Sequence, residues 1–291
     1  MLEFLVEGKH TEVTAFQMFG GFSSTPGSPG ARVRITMPNL SIVIPVFNEE
    51  DNIGPLVARI AEAMSGWEGT VEILFVDDGS SDRTLDLLKE AQAKDSRIRI
   101  AHFHKNMGQT AAMAAGFRLA RGEVIATIDA DLQNDPMEIP RLAGMLTDWD
   151  LVCGIRTRRQ DTLWKRVSSL IGNGFRNWVT DDNIIDTGCT LKAYRRECLE
   201  GLELYKGMHR FLPTLIKLRG YRVTQVPVSH HPRLAGETKY GTWGRLVKGL
   251  EDVLAVRWMK KNHIGFESNL QLIERESAEC YKVHINGTAK K

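Results

Sequence analysis

The sequence predicts an α/β fold built on a mostly parallel sheet, and two observations carry that prediction. Short apolar runs rich in β-branched residues alternate with helix-like stretches along the first half of the chain. Three of the runs lead directly into acidic clusters, at Asn48-Glu-Glu50, Asp77-Asp-Gly-Ser80 and Asp129-Ala-Asp131. In an open parallel sheet the carboxyl ends of the strands line one crevice, so such clusters converge there.

Taken in order, Leu40–Pro45 reads as a strand buried on both faces. Asn48-Glu-Glu-Asp-Asn52 carries helix-start chemistry, and a helix follows to about Met64. Val71–Val76 is a second strand, and Ser81-Asp-Arg-Thr84 opens a helix through about Ala93. Arg97–His102 is a third strand, Gly108–Arg121 an Ala-rich helix, and Val124–Ile128 a fourth strand ending at Asp129. This βαβαβαβ order implies right-handed crossovers and a parallel sheet. Beyond Asp150 the pattern loosens. Strands are expected at Leu151–Gly154, Leu191–Tyr194 and Tyr221–Pro227, and helices at Leu163–Val179, Phe211–Leu218 and Trp243–Met259.

Domain limits follow from composition. Residues 1–38 contain the turn-rich run Phe19-Gly-Gly-Phe-Ser-Ser-Thr-Pro-Gly-Ser-Pro-Gly-Ala31 and read as a flexible leader, with Met37 the expected natural start. The ordered domain is expected over residues 39–262, divided into 39–135 and 136–262, and residues 263–291 read as a polar tail. The 291 residues carry a net charge of only +2, unevenly spread. Residues 1–150 hold 13 Lys/Arg against 22 Asp/Glu, or −9, and residues 151–291 hold 25 against 14, or +11. An acidic front half suits a metal site and a basic back half an anionic partner. Cys153, Cys189, Cys198 and Cys280 form no CxxC pair, which argues against structural zinc and against a disulfide framework. No run approaches the roughly 18 apolar residues of a membrane span, and the N-terminus lacks a secretory pattern.

Asp129 and Asp131 stand one residue apart at a strand exit and can both reach one hard cation, with Gln133 adding a neutral oxygen. Mg²⁺ or Mn²⁺ fits such a set, being held by one or two carboxylates plus substrate phosphate oxygens. An isolated Asp-x-Asp is more often a pair of solvated loop acids, and Asp77-Asp-Gly-Ser80 reads equally as a turn with a helix cap. Their order and placement after buried strands favour chemistry.

These stretches resemble glycosyltransferase family 2. The matching segments are Ser41-Ile-Val-Ile-Pro-Val-Phe-Asn-Glu-Glu50, Ile73-Leu-Phe-Val-Asp-Asp-Gly-Ser-Ser-Asp82, Asn106-Met-Gly-Gln-Thr-Ala111 and Ile128-Asp-Ala-Asp-Leu-Gln-Asn-Asp-Pro136. Gly188-Cys-Thr-Leu-Lys-Ala-Tyr-Arg195 and Arg233-Leu-Ala-Gly-Glu-Thr-Lys-Tyr240 narrow the resemblance to the polyprenyl-phosphate sugar transferases, of the dolichyl-phosphate mannose synthase type. The resemblance implies a GT-A fold, Rossmann-like, over about residues 39–262. It implies that Pro45, Phe47, Glu49 and Asp77 hold the nucleotide base and ribose, with Gly108 allowing close approach to the nucleotide sugar. By the same resemblance Asp129, Asp131 and Gln133 bind the metal, Arg156 and Arg166 receive the acceptor phosphate, and Arg233 and Lys239 clamp phosphates. Asp186 falls where family members place an acid that orients or deprotonates the acceptor. The implied reaction is inverting transfer from a nucleotide sugar, GDP-mannose first and a UDP-sugar second, to a polyprenyl phosphate.

Such an acceptor lives in a bilayer, so the enzyme is expected to be peripheral on the cytosolic face of a membrane, with an integral-membrane partner as an alternative anchor and no nucleic-acid partner. Leu163–Val179 places Leu163, Trp164, Val167, Leu170, Ile171, Phe175 and Trp178 on one helical face beside Lys165, Arg166 and Arg176. Trp243–Met259 has the same character and ends in Arg257, Trp258, Lys260 and Lys261. Both stripes read equally as faces buried against the sheet. Two other functions stay open: transfer to a soluble or polysaccharide acceptor, and a nucleotide-sugar-binding regulator without turnover. A processive synthase is disfavoured because no Gln-x-x-Arg-Trp occurs, and a Rossmann dehydrogenase because no GxGxxG follows the first strand.

Overall fold

A computed structural model describes residues 39–156, 183–231 and 242–262, with backbone alone over 242–250. All of them lie in one compact unit, Thr36–Lys291. The expected leader and tail, the 163–179 helix with Trp164, Arg166 and Trp178, and the loop residues Arg233 and Lys239 lie outside the described residues.

The strands are β1 (Leu40–Val46), β2 (Val71–Asp77), β3 (Ile98–His102), β4 (Val124–Thr127), β5 (Leu151–Arg156), β6 (Lys192–Arg195) and β7 (Val223–Val228). The helices are α1 (Glu50–Ala63), α2 (Thr84–Lys94), α3 (Gln109–Leu119), α4 (Ile139–Gly144), α5 (Leu212–Leu218) and α6 (Thr242–Asn262). One seven-stranded sheet has the order β3-β2-β1-β4-β6-β5-β7. β1, β2, β3 and β4 pair in parallel as the alternating pattern requires. The strand expected at Leu191–Tyr194 is the exception, since β6 runs antiparallel to both β4 and β5.

The unbroken apolar character of β1 follows from burial on both faces. Leu40, Ile42, Ile44 and Val46 pack with Ile53, Leu56 and Ile60 of α1 and Leu88 of α2. Val43 points the other way, into a layer with Ala112 and Met113 of α3, Tyr194 of β6 and Leu212 of α5. At period two, a strand covered by helices on both sides needs an apolar residue at nearly every position. The chain turns back at β1, because β2 and β3 lie on one side of it and β4 on the other. That reversal opens a crevice between the carboxyl ends of β1 and β4, where ligands of open α/β sheets bind.

Candidate active site

The β1 and β2 exits form one wall of the crevice and are bonded to each other. Asn48, at φ 52°, accepts the Ser81 amide on its Oδ1 at 2.8 Å, and its own amide donates to Ser80 Oγ at 2.9 Å. The Glu49 amide donates to Thr84 Oγ1 at 2.9 Å, and Glu49 Oε2 accepts Asn52 Nδ2 at 2.7 Å. Pro45, Phe47 and Glu49 are half-buried along this edge. Asp77 is fully buried beneath it, one oxygen accepting from Ser80 and the other facing His102 Nδ1 at 2.8 Å. Asp78 accepts the Met107 amide at 2.7 Å and the Gly108 amide at 2.8 Å. Burial and the neighbouring Asp77 raise the Asp78 pKa against the pull of those two amides. Asp78 thus fixes the turn that starts α3, with Gly108 at φ 90°.

Across the crevice, Asp129 leaves β4 flanked by groups from three other elements. Gln109 Nε2, in the first turn of α3, donates to Asp129 Oδ1 at 3.0 Å. Thr190, just before β6, donates its hydroxyl to Asp129 Oδ2. Lys192, the first residue of β6 and 1% exposed, donates its ammonium to the Cys189 carbonyl. Asp131 is buried and accepts the Gln133 amide at 3.2 Å, in a turn that places Leu132 at φ 57°. Burial and then the Asp131 charge push the Asp129 carboxyl up to about 6, opposed by Thr190, Lys192 and Arg156. The Gln133 carbonyl accepts the His231 amide at 2.7 Å, which ties this turn to the segment after β7. The antiparallel direction of β6 is what delivers its starting end, with Thr190 and Lys192, to the exit of β4.

The third feature lies at the end of β5. Arg156 Nε donates to Asp186 Oδ2 and Arg156 Nη2 to Asp186 Oδ1, both at 2.8 Å. Their side chains are only 17% and 11% exposed, so this is a sheltered, two-pronged ion pair. The Arg156 charge also pulls the Asp129 pKa down, against burial and Asp131.

Asp129, Asp131 and Gln133 therefore lie on one turn at the β4 exit, and Pro45, Phe47, Glu49 and Asp77 lie along the β1 and β2 exits. The chemistry of the donor set fits a hard divalent cation: two carboxylates that repel each other, with the Gln133 carboxamide two residues further along the same turn. No third His, Cys, Asp or Glu among the described residues joins them, and sites of this composition are completed by substrate phosphate oxygens. Sequence reasoning put Asp78 in an acidic cluster without a role of its own, and missed Gln109, Thr190 and Lys192. Thr190 and Lys192 sit inside a segment that resembles the family, but their partner Asp129 is 61 positions from Thr190, and only the sheet order brings them together. His209 also went unnoticed. Its Nδ1 lies 2.7 Å from Thr110 Oγ1, and burial, then Arg210 and Lys192, pull its pKa down to about 3, so it is neutral.

Comparison with known proteins agrees with this geometry. Residues 41–202 match the family described as glycosyl transferase family 2. The chain is 39% identical over 228 residues to a dodecaprenyl-phosphate galacturonate synthase from Rhizobium johnstonii, covering 76% of this chain and 67% of that protein. It is 39% identical over 208 residues to an undecaprenyl-phosphate 4-deoxy-4-formamido-L-arabinose transferase from Edwardsiella ictaluri, covering 71% and 64%. The matches thus span about two thirds of these relatives. Among solved structures, glucosyl-3-phosphoglycerate synthase from Mycobacterium tuberculosis with Mn²⁺, UDP and glucosyl-3-phosphoglycerate superposes at TM-score 0.59 and 18% identity, over 77% of this chain and 80% of that one. The same enzyme with Mg²⁺ and UDP gives TM-score 0.58 at 18% identity, over 77% and 79%. At that identity the likeness establishes the GT-A fold.

Proposed function

Because the chain belongs to glycosyl transferase family 2, we propose that it moves a sugar from a nucleotide sugar to a polyprenyl phosphate at the cytosolic surface of a membrane, inverting the anomeric carbon. The observation that supports this reading is the place of Asp129 and Asp131 at the turning point of the sheet, with the Arg156 charge near enough to lower the Asp129 pKa. Both relatives named above act, by name, on polyprenyl phosphates.

In this reading Pro45, Phe47 and Glu49 line the base and ribose, and Asp77 shapes that wall from beneath through Ser80 and His102. Gly108, held by Asp78, lets backbone approach the nucleotide sugar. Asp129, Asp131 and Gln133 hold Mg²⁺ or Mn²⁺. When bound, the metal neutralises charge on the departing diphosphate. Arg156 receives the acceptor phosphate, joined by Arg166, while Arg233 and Lys239 clamp phosphates of the donor. A phosphate monoester has a second pKa near ~6 and is already largely anionic at neutral pH. One in-line displacement, organised by position and charge, then suffices.

The sugar is the finer question. GDP-mannose and UDP-sugars were the first donors the resemblance suggested, whereas the relatives carry galacturonate and 4-deoxy-4-formamido-L-arabinose. The decisive assay incubates the protein with polyprenyl phosphate, Mg²⁺ or Mn²⁺ and nucleotide-linked forms of all of these. Lipid-linked sugar extracted into organic solvent is the expected product. Binding of a nucleotide sugar with no transfer from any donor would leave a non-catalytic regulator instead, and transfer to a soluble acceptor alone would remove the lipid. Asp131→Ala is expected to lower metal-dependent turnover by roughly 10²–10³-fold; unchanged turnover would refute the metal assignment.

A further inference from the structure

The ion pair at the end of β5 reassigns one residue of this site. We infer that Asp186 is the positioning residue that presents the Arg156 guanidinium to the acceptor phosphate, and that it does not serve as the base of the reaction. This rests on the lipid-phosphate reading above and sharpens it.

The hydrogen bonds at Asp186 decide between the two roles. Oδ1 accepts Arg156 Nη2 at 2.8 Å and the Gly188 amide at 3.1 Å. Oδ2 accepts Arg156 Nε at 2.8 Å and the Arg156 amide at 3.2 Å. An ionised carboxylate offers about four lone-pair sites, so these contacts saturate it. A base needs one site free for the incoming proton, within hydrogen-bond reach of the group that gives it up. The acceptor phosphate, already anionic, has little need of one.

The surroundings support positioning. The segment carrying Asp186 is clamped to β7 by a single amide side chain: Gln225 Oε1 accepts the Ile185 amide at 2.7 Å, and Gln225 Nε2 donates to the Asn183 carbonyl at 3.1 Å. Gln225 pairs in register with Cys153 of β5, so the clamp and Arg156 stand on neighbouring strands. The carboxylate therefore sits on a rigid support and fixes Nε and Nη2. Among the described residues Nη1 has no hydrogen-bond partner, and its two hydrogens, with the second hydrogen of Nη2, are the donors left for phosphate oxygens. Gly188 supplies the room, because a Cβ there would stand 2.7 Å from Arg156 Nη2.

That contact gives a test in which the carboxylate is untouched. In Gly188→Ala the one close contact is with the Arg156 Nη2 tip, while Asp186 Oδ1 lies at an ordinary 3.6 Å and no backbone is met, so the fold tolerates it, yet it must push the guanidinium out of place. Transfer to polyprenyl phosphate is measured at varied acceptor for the wild type, Asp186→Asn and Gly188→Ala, with a pH–rate profile for each and thermal melts to confirm folding. Both substitutions are expected to raise the acceptor KM by roughly tenfold or more, with kcat within a few-fold of wild type and the acid limb of the profile kept. Two results would overturn the inference. One is a kcat loss of roughly 10²–10⁴-fold in Asp186→Asn with unchanged acceptor KM and a lost acid limb, as removal of a base requires. The other is a wild-type acceptor KM in Gly188→Ala, which also decides the matter if Asp186→Asn does not fold. A wild-type protein that transfers nothing to polyprenyl phosphate would overturn the lipid-phosphate reading itself, and is told apart from either result because no variant enters it.

Discussion

Asp78 and Gly79 stand side by side in the turn after β2 and hold the start of α3 by different means. Asp78 bonds two amides, Met107 and Gly108, in a buried setting. Asp78→Ala removes the partner of both amides, which are part-buried and can be rehydrated, so the loss is that of ordinary hydrogen bonds to a charged group. Urea unfolding is expected to report a loss of about 1–3 kcal/mol, and nucleotide-sugar affinity to fall with it as the Gly108 turn relaxes. Gly79 lies at φ 73°, and a Cβ there would come within 2.6 Å of the Lys105 carbonyl carbon. Backbone cannot step aside as a side-chain tip does, so Gly79→Ala combines left-handed strain with overpacking and should cost about 3 kcal/mol. A urea midpoint equal to wild type would show that the turn is softer than its contacts imply. At this scale the sequence was partly legible. Asp129 and Asp131 announce themselves by following a buried strand. Asp78 reads as a turn acid because its two partners lie 29 and 30 positions further on.

At the scale of elements, Glu72 ties three strands at the end of the sheet opposite the site. It accepts from Ser41 of β1, from Arg99 of β3 and from the Arg121 amide before β4, while Ser41 Oγ also accepts the Gly122 amide at 2.8 Å. Burial alone would raise the Glu72 pKa, but Ser41, Arg99 and Arg121 outweigh it and hold it below the ordinary 4.5. A folded-state pKa below the unfolded one stabilises fully above pH 4.5 and is lost as pH falls through the lowered value. Glu72→Gln is expected to cost about 3 kcal/mol near neutrality. The gap from wild type should close below pH 4.5, measured by denaturant unfolding across pH. A gap independent of pH would mean that packing, rather than charge, holds the strands.

Helix α6 shows why periodicity alone left its role open. Val253 and Val256 bury against Met208, Phe211 and Leu215, which satisfies the core reading. Leu254 and Trp258, one turn apart, remain 53% and 67% exposed, with Arg257, Lys260 and Lys261 around them. A helix can carry a stripe for the core and a second one for an interface, and the amphipathic pattern merges them. No described helix is long and apolar enough to cross a membrane. Replacing Leu254 and Trp258 together by Ser is expected to weaken binding to anionic vesicles by roughly tenfold or more, with unfolding unchanged. Vesicle binding equal to wild type would remove α6 from the membrane contact.

For the whole molecule, what the sequence makes plain is the half built from local repeats. Strand, helix and strand recur at short intervals from β1 to β4, each within one βαβ unit, so period and crossover rules determine both elements and direction. The second half escapes such rules. β6 is only four residues long, and its direction depends on partners β4 and β5 on either side. On the acceptor side the sequence offers basic residues and, in Asp186, an acid whose partner it does not reveal. What organises that side is this acid, joined to Arg156 across 30 positions.

The reversed strand also sets an order of assembly in time. β1 to β4 close by short crossovers, whereas Thr190 must find Asp129 across a separation of 61 residues. Contacts so distant along the chain form late, because loop closure has to come first. The wall formed by the β1 and β2 exits can therefore take shape on a nascent chain while the Asp129 carboxylate still lacks Thr190 and Lys192. The Asp129 carboxylate acquires these two neighbours only once β6 has been made and paired with β4.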